Sequence, residues 1–486
     1  MDDTQRKRLT RLQWKRFCVF SVCYFACYTG FRGLRDLQST LNNAEGTGLA
    51  SLSLLYACSA LAGLLVPAVI RFKLGTKWST FLGLGLFTVY TVSNYFTNAY
   101  VLLVAAVLPG IGAAFIWVSK GTYITTVAVE LAAAHQRDPA ADVALLHGIF
   151  FSVSRISTVC GNLISSLVFQ KGWASLDSDE GQNETFDLGS CGIHACGSSG
   201  AANNTGALLP PEPGKRIILI SIYLGFGLLA AIIALIFLER VPPKSPRITN
   251  GEEAVSLTTK ELIHGIMSAF RLMRQPQMLL LIPILFYIGI DMAFASGHFT
   301  KYFVGCTQGI ESVGYVAMSL YLTAVIVSPV IGRLIKYTGR PPVFFAGCGV
   351  NLLLLIGMSL WPPEGGKLWH LVAMASGLGF SRAIIPTVAT TLLGLLFPDQ
   401  KEAAFGNLCF WQSFGFAAVA ILGVPQAVCA GHVIAVTMAA LLVVVVLYSV
   451  LEITIHRDKQ RPSEGVQYVP ADEDRGSINE DKMDTL

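Results

Sequence analysis

Charge is what this sequence has least of. Of its 486 residues only 14% are Asp, Glu, Lys or Arg, against about 25% in ordinary soluble domains, while 53% are hydrophobic. That scarcity excludes a soluble globular fold, because most side chains must face lipid or one another. The formal net charge is only +4, so nucleic-acid binding has no support. A small-residue cleavage site is missing too: Arg6, Lys7, Arg8, Arg11, Lys15 and Arg16 precede the first apolar run, which is therefore read as a retained helix. Walker loop, nucleophile elbow, paired catalytic carboxylates and His/Cys metal spacing are all lacking, so no enzyme, cofactor or metal is expected. Gly110-Ile111-Gly112 lies inside an apolar run, where it signals packing and not a phosphate cradle.

Polar cysteine contexts are equally scarce. Of eleven cysteines, Cys18, Cys23, Cys27, Cys58, Cys160, Cys348 and Cys409 lie in apolar segments and read as small buried hydrophobes. Cys191 and Cys196 lie five residues apart in a polar loop; they are read either as a disulfide on the lumenal or extracellular side or as two unlinked thiols.

What is abundant is apolar length. About twenty apolar residues cross a bilayer as a helix, and twelve such spans are predicted: 17–34, 49–70, 79–97, 100–128, 143–169, 217–238, 278–299, 313–335, 342–361, 368–396, 405–428 and 432–455. Lys and Arg fix their orientation. The N-terminal residues 1–16, the 71–77 loop, the 239–277 linker and the 456–486 tail contain the basic residues. The alternate loops 38–48, 97–99 and 429–431 contain none. Both termini are therefore expected in the cytoplasm. The sequons at Asn183 and Asn203 then fall in the outside loop 171–216, as glycosylation requires. In the linker, Leu257, Leu262, Ile263, Ile266, Met267, Phe270 and Met273 recur at helical spacing and predict an amphipathic helix on the cytoplasmic face. The tail, with its acidic clusters, is expected to be disordered.

The linker divides the spans into a six-helix bundle over 17–238 and another over 278–455, and the halves repeat. Leu74-Gly75-Thr76-Lys77 matches Thr338-Gly339-Arg340, and Gly110-Ile111-Gly112 matches Gly377-Leu378-Gly379, both at an offset of about 265 residues. The glycine-basic turns resemble a degraded signature loop of the major facilitator superfamily, with its aspartate missing from both copies. The fold class is thus an all-α multi-pass membrane protein with a major facilitator fold, twelve transmembrane helices in two six-helix halves.

Several stretches are more specific. Asp36-Leu37-Gln38-Ser39-Thr40-Leu41, Gly161 through Leu167, Phe299-Thr300-Lys301 through Cys306 to Val316, and Lys401 through Asn407 resemble the uncoordinated-93 family. The resemblance implies a regulator or escort of other membrane proteins, linked to potassium-channel regulation and to trafficking of innate-immune receptors. The chain departs from the family pattern at Arg155, where glutamine is usual, at Arg382, where an acid is usual, and at Gln412, where Glu is common. All three changes make the interior more positive.

Arg155, Asp291 and Arg382 each stand about 18–20 Å into a span. Left unpaired, three such charges cost about 8–10 kcal/mol. Asp291 and Arg382 belong to cavity-lining helices of one half, so they read either as a structural pair or as a ligand contact with its orienting acid. Arg155 has no acid in its own half and shares a polar stripe with Thr158, Asn162 and Ser166, which can pack or line water. Lys120 lies about 30 Å along the fourth span, where it can snorkel or serve the cavity; His298, near an outer edge, is expected to be solvated. Tyr24, Tyr28, Phe31, Arg32 and Arg35 share a face of the first span, fitting an organic anion or an aromatic belt. Asp36 ends that span, so the deep first-span acid of many proton-coupled transporters is absent. Two functions follow: a regulator or trafficking partner of a channel or receptor in the plasma or endolysosomal membrane, or a secondary transporter of a small anionic organic solute.

Overall fold

The computed structural model describes residues 3–36, 47–96, 98–169, 191–195, 213–240, 267–308, 310–363, 367–422 and 429–460. Twelve long helices run through these residues. The first half comprises α1 (Asp3–Asp36), α2 (Thr47–Val69), α3 (Gly75–Ser93), α4 (Ala99–Ala134), α5 (Pro139–Phe169) and α6 (Pro213–Phe237). The second comprises α7 (Pro276–Ala293), α8 (Ile310–Thr338), α9 (Arg340–Leu360), α10 (Leu368–Leu396), α11 (Lys401–Leu422) and α12 (Ala430–Gln460). Ten of the helices are long and apolar enough to cross a membrane by length and composition. The other two, α3 and α11, carry Lys77 and a run of hydroxyls, or Lys401, Glu402, Asn407 and Gln412. Among the described residues there is no β-strand.

Local chemistry sets the helix ends. The Asn98 side chain accepts from the Tyr100 N–H at 2.9 Å and starts α4, while Pro276, whose missing N–H costs nothing in a first turn, starts α7. Gly75 and Gly339 occupy matching turns of the two halves with φ of 65° and 81° and the same ψ of 174°. Only glycine adopts that region freely, so the repeated glycine-basic turns share one backbone geometry. The expected linker helix falls largely on residues 241–266, outside the described set. Its end is helical over 267–273, but it buries Ala269 and Leu272 and leaves Met267 and Phe270 exposed.

Each half has its own core. One cluster is almost wholly first-half, including Phe20, Tyr24, Phe87, Tyr123 and Phe150. The other is second-half but reaches across to Ala62, Val66 and Ala144. The outer surface is a belt of exposed Leu, Ile and Val such as Leu61, Val104, Ile236, Ile326, Leu353 and Val446, the face a bilayer solvates. At the end carrying the N-terminus, α1 is tied to α4 and α6. Lys15 and Arg16 meet Glu239 at 2.8 and 3.1 Å, and Gln13 donates to Glu130 at 2.6 Å. The Lys15 contact holds the Glu239 carboxyl below its usual range; this tie is therefore present at neutral pH and is lost as pH falls through the depressed value.

The halves close on each other at that same end. Gly148 of α5 lies against the Ser328 carbonyl of α8, Gly332 against Leu145, Gly406 of α11 against Gly63 and Pro67 of α2, and Gly121 against the Phe405 ring. Ser152 donates to the Val325 carbonyl across the same seam at 2.7 Å. Small residues let backbones approach where lipid supplies no hydrophobic drive.

At the opposite end the loop from the first half is stapled to the second. The disulfide expected as one alternative between Cys191 and Cys196 is not formed, because Cys191 bonds to Cys306. A 3-10 turn, Gly192–His194, directs the chain past the end of α7, and the Ala430 N–H donates to the Ala195 carbonyl at 2.9 Å. Residues 191–195 are thus held by the second half. Cys429 is also disulfide-bonded. Cys196 and the sequons at Asn183 and Asn203 lie outside the described residues.

A valine at Gly148 would strike the Ser328 carbonyl oxygen and part α5 from α8. Alkylation of a Ser328→Cys reporter should accordingly rise about tenfold when Gly148→Val is added; an unchanged rate would show that this contact does not hold the seam closed.

Candidate functional site

Between the closed seam and the disulfide end, the halves enclose a cavity of about 90 Å³. Arg155, Asp291, Arg382 and Gln412 all line it, so four of the six candidates from sequence meet in one place. Lys120 and Asn162 do not line it. Arg32 and Arg35 from α1 join the lining, together with Tyr28, Phe31, Trp117 and Phe151. On one side the cavity is roofed by Tyr56 of α2 stacked on Phe416 of α11, ring centroids 4.0 Å apart. This aromatic pair crosses between the halves, and Arg35 donates to the Tyr56 hydroxyl at 3.4 Å.

Asp291 and Arg382 form an ion pair at 3.2 Å, both almost completely buried. The second carboxylate oxygen accepts from Asn351 of α9 at 3.3 Å, so α7, α9 and α10 converge on one charge. In low dielectric such a pair is weak evidence of net stabilisation, but losing one partner strands the other.

The first half handles charge differently. Arg32 donates to the Ser154 carbonyl at 3.1 Å and to the Thr158 hydroxyl at 2.6 Å, and its guanidinium lies 5.3 Å from the Tyr28 ring centroid. It is neutralised by dipoles and a π face, with no acid involved. Arg155, on the same helix as Ser154 and Thr158, reaches across to the Arg382 carbonyl at 3.4 Å. Its Nε finds no acceptor among the described residues.

Lys120 does not snorkel. It is fully buried, with Nζ 4.7 Å from the Trp117 and Phe151 ring centroids and 5.4 Å from that of Phe150. These rings of α4 and α5 close over it before its stem can reach the membrane edge. It therefore stands behind two residues that line the cavity. His298, expected to be solvated, is likewise buried, 6% exposed, beside Tyr302. Asn162 lies two turns beyond Arg155 on α5, outside the lining, and Gln412 donates to the Met292 sulfur at 3.4 Å.

Sequence reasoning missed Tyr287. It is fully buried, lines the cavity one turn before Asp291 on α7, and its hydroxyl has no partner among the described residues. The spacing of four from Asp291 is the signal that places it on the same helix face.

Two bundles of six helices closing over a mid-depth polar cavity define a major facilitator fold. Among solved structures, the E. coli fucose:proton symporter FucP matches with TM-score 0.60 at 12% identity, covering 90% of this chain and 98% of that one. FucP in its outward conformation gives 0.58 at 14%, with the same coverage; both likenesses concern the fold alone. The family model described as Ion channel regulatory protein UNC-93 matches residues 41–448, and the chain belongs to that family. The unc-93 homolog A of Xenopus laevis is 32% identical over 92% of this chain and 95% of that protein, and the human homolog A is 30% identical over 91% and 94%. A Caenorhabditis elegans relative, named for potassium channel regulation, is 26% identical over 86% of this chain and 58% of its own length.

Replacing Asp291 with alanine strands Arg382 at mid-membrane and should lower stability by about 3–5 kcal/mol, read as a drop in melting temperature in detergent. The double variant Asp291→Leu with Arg382→Met should recover most of that loss. Equal losses in both would mean that the pair's charge is not what the site depends on.

Proposed function

We propose that this multi-pass membrane protein acts as a regulator or trafficking partner of another membrane protein, an ion channel or a receptor. The observation that carries this reading is the family match across 41–448, under a description that is itself regulatory. The geometry is compatible with a scaffold: the deep acid is already committed to Arg382, and the seam at one end is packed through glycines.

The same reading orients the chain. A disulfide at Cys191–Cys306 needs an oxidising compartment, so that end faces the lumen or the exterior. Twelve helices return both termini to the other side, the cytoplasm, in agreement with the Lys and Arg bias. We assign residues 1–16, the 239–277 linker and the 456–486 tail to the cytoplasm and the 171–216 loop to the outside, with glycans on Asn183 and Asn203. The resident membrane is the plasma membrane or an endolysosomal one.

A second reading, transport of a small anionic organic solute by alternating access, is supported by one observation: four arginines and a single acid line the cavity.

Deletion of the chain should reduce the surface level or alter the gating of a channel or receptor that co-purifies with it in detergent. Recovery of the chain alone, with saturable solute uptake in liposomes and no effect of deletion on any channel current, would transfer the assignment to the transport reading.

A further inference from the structure

We propose that the central cavity is a binding site for a short-chain monocarboxylate, held between Arg155 of α5 and the hydroxyl of Tyr287 on α7. The inference concerns binding alone and stands whether or not the chain transports anything.

The donor and acceptor balance of the lining points to an anion. Asp291 is the only acid among the lining residues, and its two oxygens are occupied by Arg382 and Asn351. Arg32 is satisfied by Ser154 and Thr158. Besides the hydroxyl of Tyr28, whose ring stacks on Tyr24 in the first half, two donors in the lining remain without a protein acceptor among the described residues, Arg155 Nε and the Tyr287 hydroxyl. Leaving a buried donor unmet is costly, more so for a charged group. A ligand that brings acceptors and one negative charge meets both donors and offsets part of the positive excess.

Shape and size narrow the class. A guanidinium presents parallel N–H groups that fit a planar carboxylate in a two-point contact, and a single spherical ion cannot use that fork. The volume of about 90 Å³ is below the 300 Å³ and more of drug-sized sites. Nucleotides are too large. Part of the wall is aromatic, built from Phe31, Trp117 and Phe151, and suits a tail of one or two carbons. Acetate, propionate and lactate fit.

The donors come from different halves. A carboxylate bridging them ties α5 to α7 beneath the Tyr56–Phe416 stack, so occupancy favours the state in which both halves face the cavity.

The test is melting of the purified full-length chain in detergent with sodium propionate, with sodium chloride and sodium sulfate at matched ionic strength as comparison. Propionate at millimolar concentration should raise the melting temperature more than either salt. Tyr287→Phe, which removes one oxygen from a buried ring, should weaken the apparent affinity about tenfold, and Arg155→Gln should abolish the shift. If Arg155→Gln does not fold, Tyr287→Phe carries the test with direct titration of labelled propionate. Propionate no better than chloride or sulfate, or equal binding by the wild type and Tyr287→Phe, overturns the proposal.

Discussion

A carboxylate in the hydrocarbon core has to be met from within the protein, and Asp291 is met by two partners at once. It pairs with Arg382 and accepts from Asn351, so α7, α10 and α9 share one electrostatic centre. Removing either charge leaves the other in a medium where insertion costs about 2.5–3.5 kcal/mol per residue. The arrangement of the second half around its cavity follows from that requirement. Tyr287 is placed by it, one turn along the same helix. So is Arg155, whose contact across the seam is the carbonyl of Arg382 itself.

The two halves repeat in backbone but not in charge. Gly75 and Gly339 occupy the same left-handed turn, yet the first half has no counterpart to Asp291. Its buried cations are stabilised by softer means: Arg32 by a carbonyl, a hydroxyl and the Tyr28 face, and Lys120 by three aromatic rings. Cation–π contacts of this kind are worth about 2 kcal/mol when desolvated, less than a charged partner supplies. The cavity between such halves is consequently positive, and its field is set by the asymmetry of the duplication.

The spans, the six-and-six division and the repeated turns were legible in the sequence because they are local. Twenty apolar residues and a glycine before a basic residue mean the same thing whatever surrounds them. Arg155, Asp291 and Arg382 stood out because charge is rare at mid-span, and Gln412 because it departs from the family pattern. Three features were not. Cys191 finds Cys306 across 115 residues, and spacing between neighbouring cysteines carries no information about a partner on another helix end. Lys120 read as a snorkelling residue because its depth along α4 was visible and the rings of α5 that enclose it were not. Tyr287 read as one aromatic among many, since an unmet hydroxyl is a property of the neighbours and not of the residue.

A membrane fold of this kind can bind without transporting, and the geometry shows what separates the two. The seam at the N-terminal end is closed by backbone-to-backbone packing at Gly148, Gly332 and Gly406, while among the described residues an aromatic stack, Tyr56 on Phe416, lies over the cavity toward the other end. A single stacked pair is worth about 0.5–1.5 kcal/mol beyond its buried area, much less than a glycine-lined interface several turns long. On the disulfide side the Cys191–Cys306 link ties the connection after the fifth helix to the end of the seventh span. A ligand changes the balance between the ends only through contacts that differ between states. Arg155 and Tyr287 are on opposite halves, so anything bound to both favours their approach. A protein that cycles needs the seam to break as readily as the roof. One that serves as a scaffold needs only the roof to move, and the inequality between glycine seam and aromatic roof is the physical form of that distinction.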